Sequence, residues 1–277
     1  MATVRQNALS VGDDVQTLVA RGLVVYTMPN LVMGQLFMNV EGDFAAGGTY
    51  SVESLSRIAA AAGSEPTATS FTAPDEGPVS LTLNQLYYGA VQIGSIIQAV
   101  AKHNWADLYR QSIRDGLKVQ IDAGIAALVA GFSQTVGTLA QPFTDANARR
   151  AVQYIDDANA PMTDRFGVVS PAEKNDKLGL ERWTSRDYVD ANPLVKGAFA
   201  KMYNMPWYVS TNLTADGGGH DCVVAHKEAI MFAIRKQPGA DTFDLNNPNT
   251  LTREIALTAI WGQVERRDPF GVWVKAQ

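Results

Sequence analysis

Three side chains able to bind a metal or move a proton fall close together in this chain: His220, Cys222 and His226, spaced His-x-Cys-x-x-x-His. Imidazole nitrogen and thiolate sulfur are zinc ligands, but a closed zinc site takes four ligands and a catalytic one takes three around an open position. Cys222 is the single cysteine, and His103 is the only other histidine. The alternation in "DCVVA" marks Cys222 as an inward residue of a strand. The trio reads as a buried thiol beside two unrelated histidines.

Other constellations lead no further. Nucleophilic catalysis needs Ser or Cys beside a His oriented by a carboxylate; the chain has no G-x-S-x-G elbow, and "ADGGGHD" (215–221) reads as a turn before a strand. Neither G-x-x-x-x-G-K-[ST] nor a helix-opening G-x-G-x-x-G occurs, so no phosphate cradle is expected. The paired acids Asp156-Asp157 and Asp75-Glu76 read as solvated charges. The aromatic residues lack interleaved Lys and Arg, against a stacking platform for single-stranded nucleic acid. No catalytic, cofactor-binding or metal-ligating residues are expected, and no cofactor.

With 277 residues, 46% hydrophobic and 18% charged, the chain has the length and composition to bury a sizeable core. No apolar run approaches the roughly 18–20 residues of a membrane span, and residues 1–30 lack a secretory pattern. A lone cysteine excludes an internal disulfide. The net charge of −5 is uneven: residues 1–80 carry three basic side chains (Arg5, Arg21, Arg57) against eight acidic ones, and the remainder balances. Without a basic cluster, contact with nucleic acid is expected to be weak and non-specific.

The elements that must position all this follow from period and punctuation. Residues 1–43 contain one strong apolar run, "LVARGLVVYT". Residues 42–86 are rich in Gly, Ala, Ser, Thr and Pro, and alternate at both ends: Tyr50 and Val52 on one side, Val79, Leu81 and Leu83 on the other. That predicts a long two-stranded excursion. Apolar residues over 93–132, from Ile93 through Trp105, Leu117, Ile121 and Ile125 to Phe132, recur at helical spacing. Unbroken, such a helix would run on the order of 50 Å, so a bend near Gly116 or Gly124, or a spine across the molecule, is expected. Its other face carries Asp107, Arg110, Arg114, Asp115 and Lys118.

Residues 144–161 predict a helix capped by Thr144 or Asp145 and stopped at Pro161. "RFGVVSP" (165–171) predicts a short buried strand, and residues 192–213 two strands with a turn at Asn204. "HDCVVAHKEAIMFAIRK" (220–236) predicts a strand and then a helix bearing Ala229, Ile230, Phe232, Ala233 and Ile234. The closing "IALTAIWGQVERRDPFGVWVKA" (255–276) places apolar runs either side of Glu265-Arg266-Arg267-Asp268 and predicts pairing into one sheet around an exposed turn. The fold class is α+β.

In that order, these features resemble the major capsid protein of tailed bacteriophages, a fold shared with encapsulins and herpesvirus capsid floors. The resemblance covers most of residues 20–276. Residues 44–80 are similar to the family's extended β-hairpin loop, "VSLTLNQLYYGAVQIG" (79–94) to its return strand, and 95–132 to its spine helix. "RFGVVSPAEKNDKL" (165–178) resembles its R-x-x-V-V-x-P strand and helix, and "LVKGAFAKMYNMPWYVSTNL" (194–213) an apolar strand ending in S-x-N. The resemblance implies an N-terminal arm with first peripheral elements over 1–43, the loop over 44–80, and a peripheral domain with the spine over 81–139. It further implies an axial domain over about 140–240 and a return to the peripheral domain over 241–277.

What the resemblance implies is self-assembly into pentamers and hexamers of an icosahedral head that encloses double-stranded DNA. The subunit would be assembled in the host cytoplasm and end in the virion. Candidate contact residues between subunits are Arg57, Glu65, Asp75 and Glu76 on the loop, Arg110, Arg114, Arg149 and Arg150 elsewhere, and Glu265, Arg266, Arg267 and Asp268 near the end. Roughly 40 residues precede the loop, so scaffolding is expected from a separate protein, alongside a portal. Residues 44–80 contain no lysine, so a covalent link from a loop lysine is not expected, and non-covalent contacts or a cement protein would supply stability. An encapsulin-like compartment shell, and a soluble α+β enzyme, stand as alternatives.

Overall fold

The computed structural model describes residues 31–40, 48–55, 60, 76–95, 104–180, 183, 201–247 and 251–276. The run "LVARGLVVYT", the expected loop positions Arg57, Glu65 and Asp75, residues 96–103 of the expected helix and "LVKGAFA" (194–200) lie outside them. Within them the chain is α+β, as the pattern predicts. A short helix α1 (Met33–Leu36) precedes β1 (Met38–Asn39), then β2 (Thr49–Leu55), β3 (Glu76–Thr82) and β4 (Gln85–Gly94). Helix α2 (Trp105–Ala127) follows and closes in a 3₁₀ turn, Leu128–Gly131, before β5 (Gln134–Gly137).

Helix α3 (Asp145–Asp157), β6 (Arg165–Val169), helix α4 (Pro171–Leu178), β7 (Trp207–Val209), β8 (Ala215–Asp216) and β9 (Gly219–His226) come next. The chain ends in β10 (Ile230–Asn247), β11 (Thr252–Glu265), a 3₁₀ turn at Asp268–Phe270 and β12 (Gly271–Ala276).

The predicted excursion is a two-stranded hairpin. β2 and β3 pair antiparallel, with Tyr50 opposite Leu81 and Val52 opposite Val79, the residues whose alternation marks one face. Its return strand leads into a four-stranded sheet, β1-β10-β11-β4. Helix α2 lies on one face of that sheet, and at about 34 Å for 23 residues it acts as the spine. Gly89 permits the close approach: a β-carbon there would stand 2.4 Å from the Cγ2 of Ile113. The helix runs through Gly116 and Gly124 without a break.

A second sheet runs β5-β12-β9-β6-β7, with β8 against β9. β6 is buried at every residue and β9 at all but one. Helix α3 packs here through Ala148, Ala151 and Ile155; the Thr144 hydroxyl caps it by accepting from Asn147 N at 3.3 Å. Asn159, at φ 55°, ends the turn that follows, so the helix stops short of Pro161. Helix α4 starts with Ser170 accepting from Glu173 N at 3.1 Å and Pro171 in its first turn. The Ser-x-x-Glu pattern there is the start signal of a helix.

Three expectations are corrected. Residues 230–236, expected as a helix, open the long strand β10. Ile230, Met231, Phe232 and Ala233 are all buried, because both faces of the strand are covered at this point. Such a run loses its alternation and reads like a buried helix. Ile93 and Gly94 belong to β4, where Val91 and Ile93 continue a two-residue period, rather than to the spine helix. The closing runs do not share a sheet: β11 pairs with β10 and β4, whereas β12 pairs with β5 and β9. Glu265–Asp268 is therefore a corner between sheets, not a hairpin turn.

Candidate interaction surfaces

Around Cys222 the second sheet and helix α4 enclose an unusual polar interior. The thiol is pushed up to about 12 by burial, which leaves it protonated and a poor nucleophile. Nearby, Lys177 Nζ lies 3.6 Å from the ring centre of Trp207, 4.1 Å from Phe143 and 4.6 Å from Trp183. Burial drives the Lys177 ammonium well below its ordinary pKa, against the pull of Cys222 and Glu173. The fully buried Glu173 carboxylate accepts Phe143 N at 2.9 Å. These groups hold α4 against the sheet in a closed interior. His226 Nδ1 accepts Glu228 N at 3.2 Å, and burial lowers its pKa. Among the described residues no group of three or more His, Cys, Asp or Glu could hold a metal ion, and no helix is long and apolar enough to cross a membrane.

The described charged candidates fall in four separate places. Arg110, on the spine helix, donates to Asp107 at 2.7 Å and to Asp244 of β10, which also receives Arg253 Nε and Nη2 at 2.6 Å each. Hydrogen bonding from Arg253 holds the Asp244 carboxyl below the usual carboxylate range. Arg114 lines a shallow depression with Asp107, Gln111, Asp115 and Lys118, all on one helix face. On helix α3, Arg149 meets Asp145 at 3.2 Å and Arg150 lies 4.9 Å over the Tyr154 ring. At the corner, Glu228 receives Arg266 at 3.3 Å and Arg267 at 3.7 Å. Asp268 accepts Ser133 N at 2.7 Å and also its hydroxyl. Glu76 opens β3.

Two features escape sequence reading. Asp122 is buried in the middle of the spine helix, where its carboxylate accepts Met33 N at 2.8 Å, Gly34 N at 3.3 Å and Asn212 Nδ2 at 3.3 Å. Asn212 Nδ2 also reaches Val119 O at 3.1 Å. Asn212, the end of the S-x-N stretch, thus ties α1, the spine and the loop after β7 together. In sequence Asp122 is one polar residue on a helix, with nothing to announce long-range partners.

The other feature is the face of the four-stranded sheet turned away from the spine. Paired residues share a face, and the rows Met231–Val264, Ala233–Gly262, Ile260–Leu86, Thr258–Tyr88, Phe243–Ala256–Ala90 and Leu245–Glu254–Gln92 belong to it. At one end the hairpin base covers it. Val40, Leu81, Met231 and Ala233 are buried together with Tyr50, Val52, Val79, Leu83 and Val264 around them. Gly262 lets the hairpin in: a β-carbon there would stand 2.2 Å from Thr82 O. The other end is bare, with Leu86 64%, Tyr88 61%, Phe243 54% and Leu245 64% exposed, and Leu251 71% exposed beyond the strands. Contiguous apolar exposure of this kind marks an interaction surface. The period-two rhythm of "QLYYGAVQIG" was legible; which face would stay uncovered was not.

Comparison with known proteins adds to this picture. The profile of a family described as "Phage capsid protein" matches residues 106–259. No curated protein matches the chain. Among solved structures, one from Mycobacterium phage Che8 is 18% identical, with a TM-score of 0.79 over 91% of this chain and 93% of that one. The capsid of cyanophage P-SCSP1u is 13% identical, with a TM-score of 0.77 over 93% and 91%. The capsid of an empty GTA particle is 12% identical, with a TM-score of 0.63 over 99% of both chains.

Proposed function

This chain belongs to the phage capsid protein family, and from that premise we propose that it self-assembles into pentamers and hexamers of an icosahedral head around double-stranded DNA. It is a major capsid protein, a structural component of the virion. The observation that supports the assembly reading best is the divided sheet face. In one chain, the hairpin base seals one end with Tyr, Val and Leu side chains, while Leu86, Tyr88, Phe243 and Leu245 leave the other end exposed. In our reading, the outer part of the hairpin lies over that bare end on an adjacent subunit. Repeating the contact around a ring is a heterologous arrangement that closes.

The remaining parts of the proposal follow. The arm, hairpin, peripheral and axial regions divide near residues 43, 80, 139 and 240. Arg57, Glu65, Asp75, Glu76 and Arg114 contribute contacts between subunits, and Arg110, Arg149, Arg150 and the Glu265–Asp268 corner do so in addition to their contacts within the chain. The protein does its work by geometry rather than catalysis. It is assembled in the host cytoplasm with a separate scaffolding protein and a portal, is held by non-covalent contacts or a cement protein, and touches packaged DNA weakly.

The test removes the outer hairpin. Deleting residues 56–75, with a short Gly-Ser link from Leu55 to Glu76, leaves the base pairing of β2 and β3 in place. The expected product is a soluble folded subunit that electron microscopy shows to form no shells. Normal particles from this variant would overturn the reading. Nucleic acid inside wild-type particles supports a phage head; protein cargo in its place would move the assignment to a compartment shell.

A further inference from the structure

The corner between the sheets holds two carboxyl groups where one charge would be easier to bear. Glu265 is the last residue of β11, paired with Ile230 in the four-stranded sheet. Asp268 opens the 3₁₀ turn that leads into β12 and the second sheet. The Asp268 side chain comes within hydrogen-bond reach of the Glu265 carboxyl, and both approach the 131–133 segment. Two carboxyl groups can make that bond only if one carries a proton. Asp268 already accepts Ser133 N at 2.7 Å and the Ser133 hydroxyl, so the shared proton is assigned to Glu265. The Glu265 carboxyl also lies against the end of the spine: its Oε2 is 3.1 Å from where a β-carbon on Gly131 would stand.

Among the described residues, the neighbouring guanidinium groups turn to other partners. Arg266 and Arg267 turn to Glu228 in the β9–β10 turn, at 3.3 and 3.7 Å, and Arg267 also lies 5.0 Å over the Phe270 ring. His226 packs edge-on to Phe270 at 5.6 Å, within reach of Glu228, Asp164, Arg165 and Arg267. Backbone bonds from Arg266 N and Arg267 N to Ala229 O, at 2.8 and 3.1 Å, hold the corner in place.

We propose that the Glu265–Asp268 pair is a proton-dependent clasp on the joint between the two sheets. With the proton in place the pair binds the end of β11 to the turn that enters β12, and through Ser133 to the start of β5. Without it, two negative charges face each other across the joint, and the joint loosens. Burial first, and Asp268 second, push Glu265 up to about 7, which puts the switch near neutrality. The sign follows: the folded chain binds the proton more tightly than the unfolded one, so the clasp is complete at mildly acidic pH and is lost as pH rises through about 7. His226, with its pKa lowered by burial, acts in the opposite sense and disfavours the fold as pH falls below its ordinary value. In a capsid the joint sets the shape each subunit presents; that consequence rests on the function proposed above, and the clasp does not.

The experiment compares full-length wild type with Glu265→Gln, which keeps a hydrogen-bond donor and cannot ionise. Unfolding in urea is followed from pH 5.5 to 8.5, with amide hydrogen exchange at Ser133, Arg266 and Arg267 measured for both proteins at the same pH. His226→Gln in both backgrounds removes the opposing titration. The wild-type unfolding constant is expected to rise roughly tenfold or more across the window. Glu265→Gln should lack that rise, match wild type at pH 5.5 and exchange more slowly at pH 8.5. Asp268→Asn should reduce the wild-type slope without abolishing it, because its repulsion is gone while burial of Glu265 remains. Equal slopes in wild type and Glu265→Gln, or an unchanged slope in Asp268→Asn, would overturn the clasp.

Discussion

The two sheets of this protein are finished to different degrees. The second sheet is closed from both sides: β6 and β9 bury nearly every residue, and helix α4 seals one face with Glu173, Lys177 and three aromatic rings. The four-stranded sheet is closed on the spine side only. Its outer face is sealed by the chain's own hairpin at one end and left bare at the other. The difference teaches where stability and assembly reside. In the function proposed here, the sheet complete in itself serves the folded subunit, and the unfinished face serves contact with another copy.

Substituting the same residue type in each sheet tests that division most sharply. Phe166 in β6 is 3% exposed and meets Phe37 edge-on at 5.0 Å. Phe166→Ala should destabilise the subunit by about 3–5 kcal/mol, read by denaturant unfolding. Phe243→Ala, at the bare end, should change unfolding by no more than about 0.5 kcal/mol while particle yield by electron microscopy collapses. If both variants unfold alike, the contrast between the sheets is wrong.

A smaller effect is expected at the boundary between covered and bare. Leu81 is fully buried under the hairpin base, and Leu81→Ala should cost about 2–4 kcal/mol. Hydrogen exchange should rise in β2 and β3 before it rises in β6 or β9. Uniform acceleration across both sheets would mean the hairpin is integral to the core and not an appended cover.

The smallest effect belongs to the spine-side ion network. Asp244 has its pKa depressed chiefly by the Arg253 hydrogen bond. A depressed carboxyl contributes stability above its unfolded pKa and loses it as pH falls through the folded value. Asp244→Asn should therefore cost about 1 kcal/mol or less at pH 7 and nothing measurable once the wild-type carboxylate is protonated below its depressed pKa. A cost that persists there would point to packing, not charge.

Much of the architecture was legible because its signals are local. The Tyr50–Val52 and Val79–Leu81 alternation gave the hairpin pairing, Thr144 a helix start, and the stripe through Leu117, Ile121 and Ile125 the spine. The readings that failed share one cause. Residues 230–234 lie between the spine on one face and the hairpin on the other, so their pattern shows no polar side. The β11–β12 segment looks like a hairpin because both arms are apolar strands, and nothing local says they enter different sheets. Of the candidate contact residues, the corner Glu265–Asp268 is a true structural cluster, but its bonds to Ser133 and Glu228 span long stretches of chain and left no trace in spacing.

By itself, the order of residues determined the two strands of the hairpin, the capped start of the helix at Thr144 and the apolar stripe of the spine, but not the strand that opens at Ile230. Periodicity and capping are properties of neighbours along the chain, and they survive without knowledge of the fold. Only the tertiary structure decided which apolar face is sealed and which is bare, that Asp122 gathers three segments, and that Glu265 meets Asp268 at a joint. Each depends on segments distant in sequence arriving at the same place, and burial, which fixes both the exposed patch and the shifted proton, exists only once they have.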